Sequence, residues 1–217
     1  TMISTGVARN VVVYRALNGR SGQRVGSARA PGDAAELRRD AGLVAYPQTI
    51  ALWARRFLID TGANEDDLAA VAIAQREWAA RNERALRRSP LTIEDHHAAP
   101  MVADPLRAVD CTTEVDGACA VVLTTNERAA DGPHPAVGIE SAAYVLGRGG
   151  GLDMADSSSW PDLSRNHTSF LADRLWADAG LGPADMDFAQ IYDCFSSVVL
   201  FGLEGLGFAA RGEAGEL

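Results

Sequence analysis

The chain has 217 residues, 47% of them hydrophobic, and a formal net charge of −9. That length suits one large α/β domain or two small ones, and the acidic balance excludes a nucleic-acid partner, because phosphate contacts need a basic face. All 20 basic residues are arginine, so no side-chain amine is encoded here for Schiff-base chemistry. No apolar run is long enough to span a bilayer. Three cysteines, an odd number, argue against a disulfide framework and for a reducing compartment, so the expected location is cytoplasmic. The first residues, Thr1 to Thr5, lack the basic start of a signal peptide.

Val11-Val12-Val13-Tyr14-Arg15-Ala16 is a continuous apolar run with β-branched residues, the pattern of a buried central strand in a parallel sheet. A central strand this near the first residue needs neighbours, so the chain is expected to start inside a domain. Leu17–Pro47 is loop-like, with Asn18-Gly19-Arg20-Ser21-Gly22 and Ala30-Pro31-Gly32-Asp33 as turn signals. Over Pro47–Asp60, Ile50, Trp53, Ala54, Phe57 and Leu58 fall at helical spacing, and Thr61-Gly62 ends the helix. Asn64 is the expected cap of the next helix, with Glu65, Asp66 and Asp67 in its first turn, where the dipole favours anions. Leu68, Val71, Ala72 and Trp78 form its expected buried face. Arg81, Arg84, Arg87 and Arg88 lie toward its end, as a solvated helix terminus or as forks for ligand phosphates.

Leu91–Asp110 reads as a connector with a short helical piece. His96 and His97 within it are expected at the surface, since no Cys or carboxylate stands at metal-ligand spacing. Asp116-Gly117-Ala118-Cys119-Ala120-Val121-Val122-Leu123 reads as a second central strand. Cys111 and Cys119 have neither metal nor redox spacing and are expected to be buried thiols. Ala136–Leu146 is a third expected strand. Gly147-Arg148-Gly149-Gly150-Gly151 follows it as a mobile loop, since no Gly-Lys-Ser/Thr marks a phosphate cradle. A helix over Ser169–Ala179 follows His167 and ends at Gly180.

The chemistry-bearing stretch is Asp187 to Ser196. Phe188, Gln190 and Tyr192 alternate with Ala189, Ile191 and Asp193 as in a strand. A helix too apolar for the surface follows, with Val198, Val199, Leu200, Phe201, Leu203 and Leu206. A strand meeting a buried helix N-terminus is where open α/β folds collect reactive groups, because unpaired N–H groups there can hold an anion or a developing oxyanion. Tyr192, Asp193, Cys194 and Ser196 are the candidates. The plainer reading is that Tyr192 and Cys194 pack while Asp193 or Ser196 caps the helix.

Several stretches together resemble the thiolase superfamily, in its lipid-transfer-protein or sterol-carrier thiolase branch. They are Ala103-Asp104-Pro105-Leu106, Asp110-Cys111, Asp116–Val122, the start Asp187–Phe195 (similar to that branch's His-Asp-Cys-Phe block, with Tyr192 in place of histidine), Gly202–Phe208 with Arg211-Gly212-Glu213, and Val12–Gly22. The Tyr-Asp-Cys-Phe form resembles the thiolase-like aldolases of bacterial steroid side-chain degradation. The resemblance implies a layered αβαβα thiolase-like fold with an inserted helical loop domain, here expected to be incomplete at both ends. On it, 1–16 and 111–130 belong to the N-terminal half, 17–110 to the loop domain and 131–217 to the C-terminal half. The chain is expected to begin after the family's acyl-accepting cysteine and to end before its last catalytic block. Cys194 aligns with the Asp-Cys-Phe cysteine and not with that nucleophile.

The implied reaction is retro-aldol cleavage of a β-hydroxyacyl-CoA steroid intermediate, giving a 17-keto steroid and propionyl-CoA. The implied assembly is a homodimer through the thiolase fold, joined by a small OB-fold protein. CoA enters as part of the substrate; no covalently bound cofactor and no metal are expected. Such cleavage needs a base for the tertiary alcohol and donors around the thioester oxygen. Tyr192 is the candidate acid or base. A phenol titrates near pH ~10, so the base role needs a depressed pKa while the acid role does not. Two other readings stand beside it: an acyl-CoA thiolase using an upstream cysteine, and a non-catalytic acyl-CoA or lipid-binding subunit.

Overall fold

The computed structural model describes residues 2–22, 36, 39–145 and 162–217. The turn signal at 30–33 and the Gly-rich stretch at 147–151 lie outside them. The chain divides into two compact units, Thr1–Ala28 with Thr113–Ala142, and Arg29–Thr112 with Ala143–Leu217.

The first unit is built on strand β1 (Asn10–Asn18), which pairs antiparallel with a later strand, Asp116–Thr124, in register from Asn10 opposite Thr124 to Asn18 opposite Asp116. Asp116 closes the far end: its Oδ1 accepts from the backbone N–H groups of Ser21 (3.0 Å) and Arg20 (2.9 Å), and hydrogen bonds from Ser21, then from Arg20, hold its carboxyl below the usual range. At the near end the Thr124 hydroxyl donates to the Arg9 carbonyl at 3.0 Å. The expected parallel, buried strands are thus an antiparallel ribbon, and Val12, Val13, Tyr14, Val121 and Val122 are exposed. A run apolar on both faces has the composition of a sheet covered on both sides; nothing among the described residues covers this one. Cys119 is exposed with the ribbon, contrary to expectation. No ladder forms over 136–145, where Val137, Ile139 and Tyr144 are exposed, because a strand requires a partner for its N–H and C=O groups.

In the second unit, α1 (Tyr46–Thr61) starts with Pro47 in its first turn and ends at Gly62, whose φ of 78° favours glycine. Helix α2 (Glu65–Ala80) is capped as expected: Asn64 Oδ1 accepts from the Asp66 N–H at 2.7 Å, and Asp67 Oδ2 accepts from the Asn64 N–H at 2.6 Å. Its buried face is Leu68, Ala69, Val71 and Ala72. Trp78 is exposed rather than buried and carries the Arg81 guanidinium 5.0 Å from its ring centroid. Arg84, Arg87 and Arg88 lie beyond the helix, and Arg88 Nη2 donates back to the Ala80 carbonyl. Then come α3 (Ile93–Ala98), capped by Thr92, and a short hairpin of β2 (Met101–Ala103) and β3 (Leu106–Arg107). In chain order the ribbon's second strand is β4 (Asp116–Thr124), and α4 (Asn126–Ala130) follows it within the first unit. Helix α5 (Thr168–Ala179) ends at Gly180, with φ 67°. Helix α6 (Ser196–Gly205) follows the Tyr192 segment.

Helix α6 is the hub of this unit. Leu200 and Phe201 are buried with Ile50, Ala51, Ala54, Phe57 and Leu58 of α1, Leu68 and Val71 of α2, and Leu106 of β3. The Phe57 and Phe201 rings meet edge to face, with centroids 5.0 Å apart. Two glycines let chain lie against α6. A Cβ on Gly202 would stand 2.6 Å from Ile191 Cγ2, and one on Gly205 3.0 Å from the Ser169 nitrogen. These contacts seat the Tyr192 segment and α5 directly on the helix backbone. Segment 187–192 is not a strand: it forms no ladder, and Phe188 and Tyr192 are exposed.

Candidate functional site

The Tyr192 segment is fastened to the 110–112 segment as it enters α6. Cys111 and Phe195 form an antiparallel bridge. The Ser196 N–H donates to the Asp110 carbonyl (3.0 Å), and the Thr112 N–H to the Cys194 carbonyl (3.1 Å). Phe195 occupies the N-cap position with no side-chain cap. Neither Asp193 nor Ser196 is therefore the expected cap. Ser196 is buried, and its own N–H is satisfied by Asp110. Asp193 Oδ2 accepts from Gln75 Nε2 at 3.2 Å, which ties the segment to α2.

The structure brings Tyr192 and Cys194 together. The Tyr192 side chain is 76% exposed. Burial pushes the half-buried Cys194 thiol up, while a hydrogen bond from Tyr192 works against that shift. A phenol in solvent, beside a protonated thiol and above a buried helix start, can give or take a proton on a bound ligand. Ser197 Oγ in the first turn is fully buried without a hydrogen-bond partner.

The residues beneath this junction were read differently from the sequence. His96 is fully buried, not at the surface. Its Nε2 lies 2.9 Å from Asp110 Oδ1, and the other carboxylate oxygen accepts from the Arg107 N–H at 2.8 Å. Arg107 spans Glu65 Oε2 (3.0 Å from Nη2) and the Ala99 carbonyl (3.1 Å from Nη1). His97 is half exposed, with Nε2 2.9 Å from Asp66 Oδ1. The available signal was Asp110 fourteen residues after His96, which becomes a contact only once the β2–β3 hairpin folds the chain back.

Cys111 lies on the other strand of the bridge. Its thiol donates to the Arg107 carbonyl at 3.4 Å, and burial, then the Asp110 charge, pushes it up to about 11. At pH ~8 we therefore expect Cys111 to resist iodoacetamide while exposed Cys119 is alkylated. Its rate should climb about tenfold per pH unit toward pH 11, as thiolate forms. Peptide mass spectrometry checks this; equal labelling of both cysteines at pH ~8 refutes it. The folded thiol titrates above its ordinary value of 9.0, so its contribution to stability is intact below pH 9 and is lost as pH rises toward 11.

At the far end of α6, Glu204 Oε1 accepts from the Gly212 N–H (2.8 Å) and Oε2 from Arg211 Nη1 (3.3 Å). Arg211 also donates to the Ser164 carbonyl. Burial raises the Glu204 carboxyl against the pull of these donors. A cavity of about 230 Å³ lies there, among Ser164, Arg165, Ser169, Glu204 and Arg211. Among the described residues no group of three or more His, Cys, Asp or Glu side chains is placed to hold a metal ion, and no helix is long and apolar enough to cross a membrane.

Residues 149–217 match the family model described as thiolase C-terminal domain-like. The chain is 40% identical to the 17-hydroxy-3-oxo-4-pregnene-20-carboxyl-CoA lyase of Mycobacterium tuberculosis, over 98% of the chain and 57% of that protein. It is 36% identical to the steroid side-chain-cleaving aldolase of Thermomonospora curvata, over 98% of the chain and 56% of that protein. A solved structure of an Ltp2-ChsH2(DUF35) aldolase superposes with a TM-score of 0.88 at 36% identity, over 99% of this chain and 56% of that one. The chain thus spans about half the length of the curated relatives it matches, and over that span the α/β, thiolase-like fold read from the sequence is borne out.

Proposed function

Because the chain belongs to the thiolase superfamily, we propose that it serves a thiolase-like aldolase, a carbon–carbon lyase acting on a steroid β-hydroxyacyl-CoA. Cleavage would give a 17-keto steroid and propionyl-CoA. Support comes from the names of the two relatives, an aldolase and a CoA lyase, each matched through nearly the whole chain. Within the chain, the observation that carries the reading is the exposed Tyr192 phenol, held by backbone clips at the start of a buried helix.

In the proposed reaction the tertiary alcohol loses its proton and its oxygen becomes the ketone. The bond between the carbinol carbon and the α-carbon breaks, and the electron pair moves into the thioester as an enolate. The α-carbon then takes a proton. Tyr192 serves one of the two proton transfers. Asp193 holds the segment through Gln75, Cys194 sits beside the phenol, and Ser196 fixes the helix start. CoA enters as the substrate's carrier, with no further cofactor and no metal.

We assign 1–16 and 111–130 to the N-terminal thiolase half, 17–110 to the helical loop domain and 131–217 to the C-terminal half. We further propose a cytoplasmic homodimer joined by a small OB-fold protein. The similar solved structure, an Ltp2-ChsH2(DUF35) aldolase, supports a heteromeric assembly. The test is product analysis with a 17-hydroxy steroid C22-acyl-CoA and the full-length protein co-expressed with its partner. Release of a 17-keto steroid and propionyl-CoA is expected. Tight acyl-CoA binding without cleavage would overturn the aldolase in favour of a binding subunit.

A further inference from the structure

We propose that His96 is a positioning residue for the Tyr192 segment, acting through Asp110. Three contacts converge on Asp110, two on its carboxylate and one on its carbonyl. Its carboxylate accepts from the Arg107 N–H at 2.8 Å and meets His96 Nε2 at 2.9 Å. Its carbonyl accepts the Ser196 N–H, the first of α6, at 3.0 Å. One residue thus joins the buried imidazole of α3 to the start of the hub helix. The next residue, Cys111, bridges Phe195, and the one after it clips the Cys194 carbonyl.

The contacts define what each group does. A carboxylate only accepts, so with Arg107 donating to one oxygen, His96 Nε2 carries the hydrogen shared with the other. His96 Nδ1 is then left as a buried nitrogen without a partner. A side chain chosen only to fill space would not leave a polar atom unmatched, because that carries a desolvation penalty. The ring is held for its Nε2. Removing it strands Asp110 Oδ1 in a site where His96 is 0% and Asp110 2% exposed, and Asp110 must shift toward water to recover a donor. Any such shift carries the Asp110 carbonyl away from the Ser196 N–H and loosens the bridge behind Tyr192.

The experiment is hydrogen exchange on the full-length protein with its partner, comparing wild type, His96→Leu and His96→Gln well below their melting temperatures. We expect His96→Leu to speed exchange in peptides covering 193–197 about tenfold over the change in α1 peptides, the loss expected when a buried hydrogen bond is broken. His96→Gln, whose amide can donate to Oδ1, should restore at least half of the protection. Uniform acceleration across the chain, or no change at 193–197, overturns the proposal. Should His96→Leu fail to fold, Asp110→Ala carries the test. Alanine removes both acceptor oxygens, leaving the Arg107 N–H and His96 Nε2 without their shared partner, and the same local acceleration is expected.

A second arm deepens the functional reading above and rests on it. His96→Leu should lower kcat roughly tenfold while KM stays within about twofold, because a misplaced proton-transfer group affects the chemical step more than ligand capture. If wild type shows no turnover, the functional reading fails while the exchange arm still decides the role of His96.

Discussion

Tyr192→Phe will remove most turnover and leave the fold intact. We expect kcat to fall about 10²- to 10⁴-fold, the range for loss of a positioned proton-transfer group. The ring is mostly exposed, so the variant loses only a hydroxyl at the surface and its melting temperature should match wild type within about 1 °C. One local effect has a definite sign. The hydrogen bond from Tyr192 holds the Cys194 thiol down against burial, so in the variant that thiol moves further up and Cys194 alkylation slows. Steady-state release of the ketone and the acyl-CoA product measures the first effect, and mass spectrometry of the Cys194 peptide the second. Near-normal kcat would remove Tyr192 from the chemistry.

Phe57→Ala will be among the most destabilising single changes in the second unit, by about 3–5 kcal/mol. The ring is 1% exposed and closes the core from α1 onto α6 through its edge-to-face contact with Phe201. Its other side lies under the Arg211 guanidinium, 5.6 Å from the centroid, and Arg211 in turn holds Glu204. Truncation opens a cavity and also loosens the fastening at the end of α6. Urea unfolding followed by circular dichroism will show a lower midpoint. A loss under about 1 kcal/mol would mean the core collapses around the gap.

Helices α1, α2 and α5 were legible because their signals are local. Ile50 to Leu58 repeat at helical spacing, Asn64 caps three acids, and Gly62 and Gly180 take the left-handed conformation at helix ends. His96 was not legible, because an imidazole flanked by polar residues reads as solvent-facing until Asp110 comes back to meet it. Of the four expected strands, Val11–Ala16 and the run from Asp116 formed, but as an exposed antiparallel pair rather than buried members of a parallel sheet. Ala136–Leu146 and Phe188–Tyr192 have strand composition and form no ladder among the described residues, because pairing belongs to two segments at once. At the candidate site, the residue types and their place at a helix start were readable. The way they are held was not: backbone clips from 110–112 and a glutamine on α2 do the work that capping by Asp193 or Ser196 was expected to do.

The β1–β4 ribbon bears on how these 217 residues behave as a preparation. Each of its strands has one outer edge without a ladder among the described residues, and valines lie on its surface. Such an edge is a template for a strand from another molecule, and aggregation can begin there. The edge carries few charges of its own, so mutual repulsion from the −9 net charge is the main long-range opposition. Salt shortens the reach of that repulsion to about 10 Å at 0.1 M and leaves the apolar attraction in place. Low ionic strength will keep the chain dispersed, and added salt will hasten its precipitation.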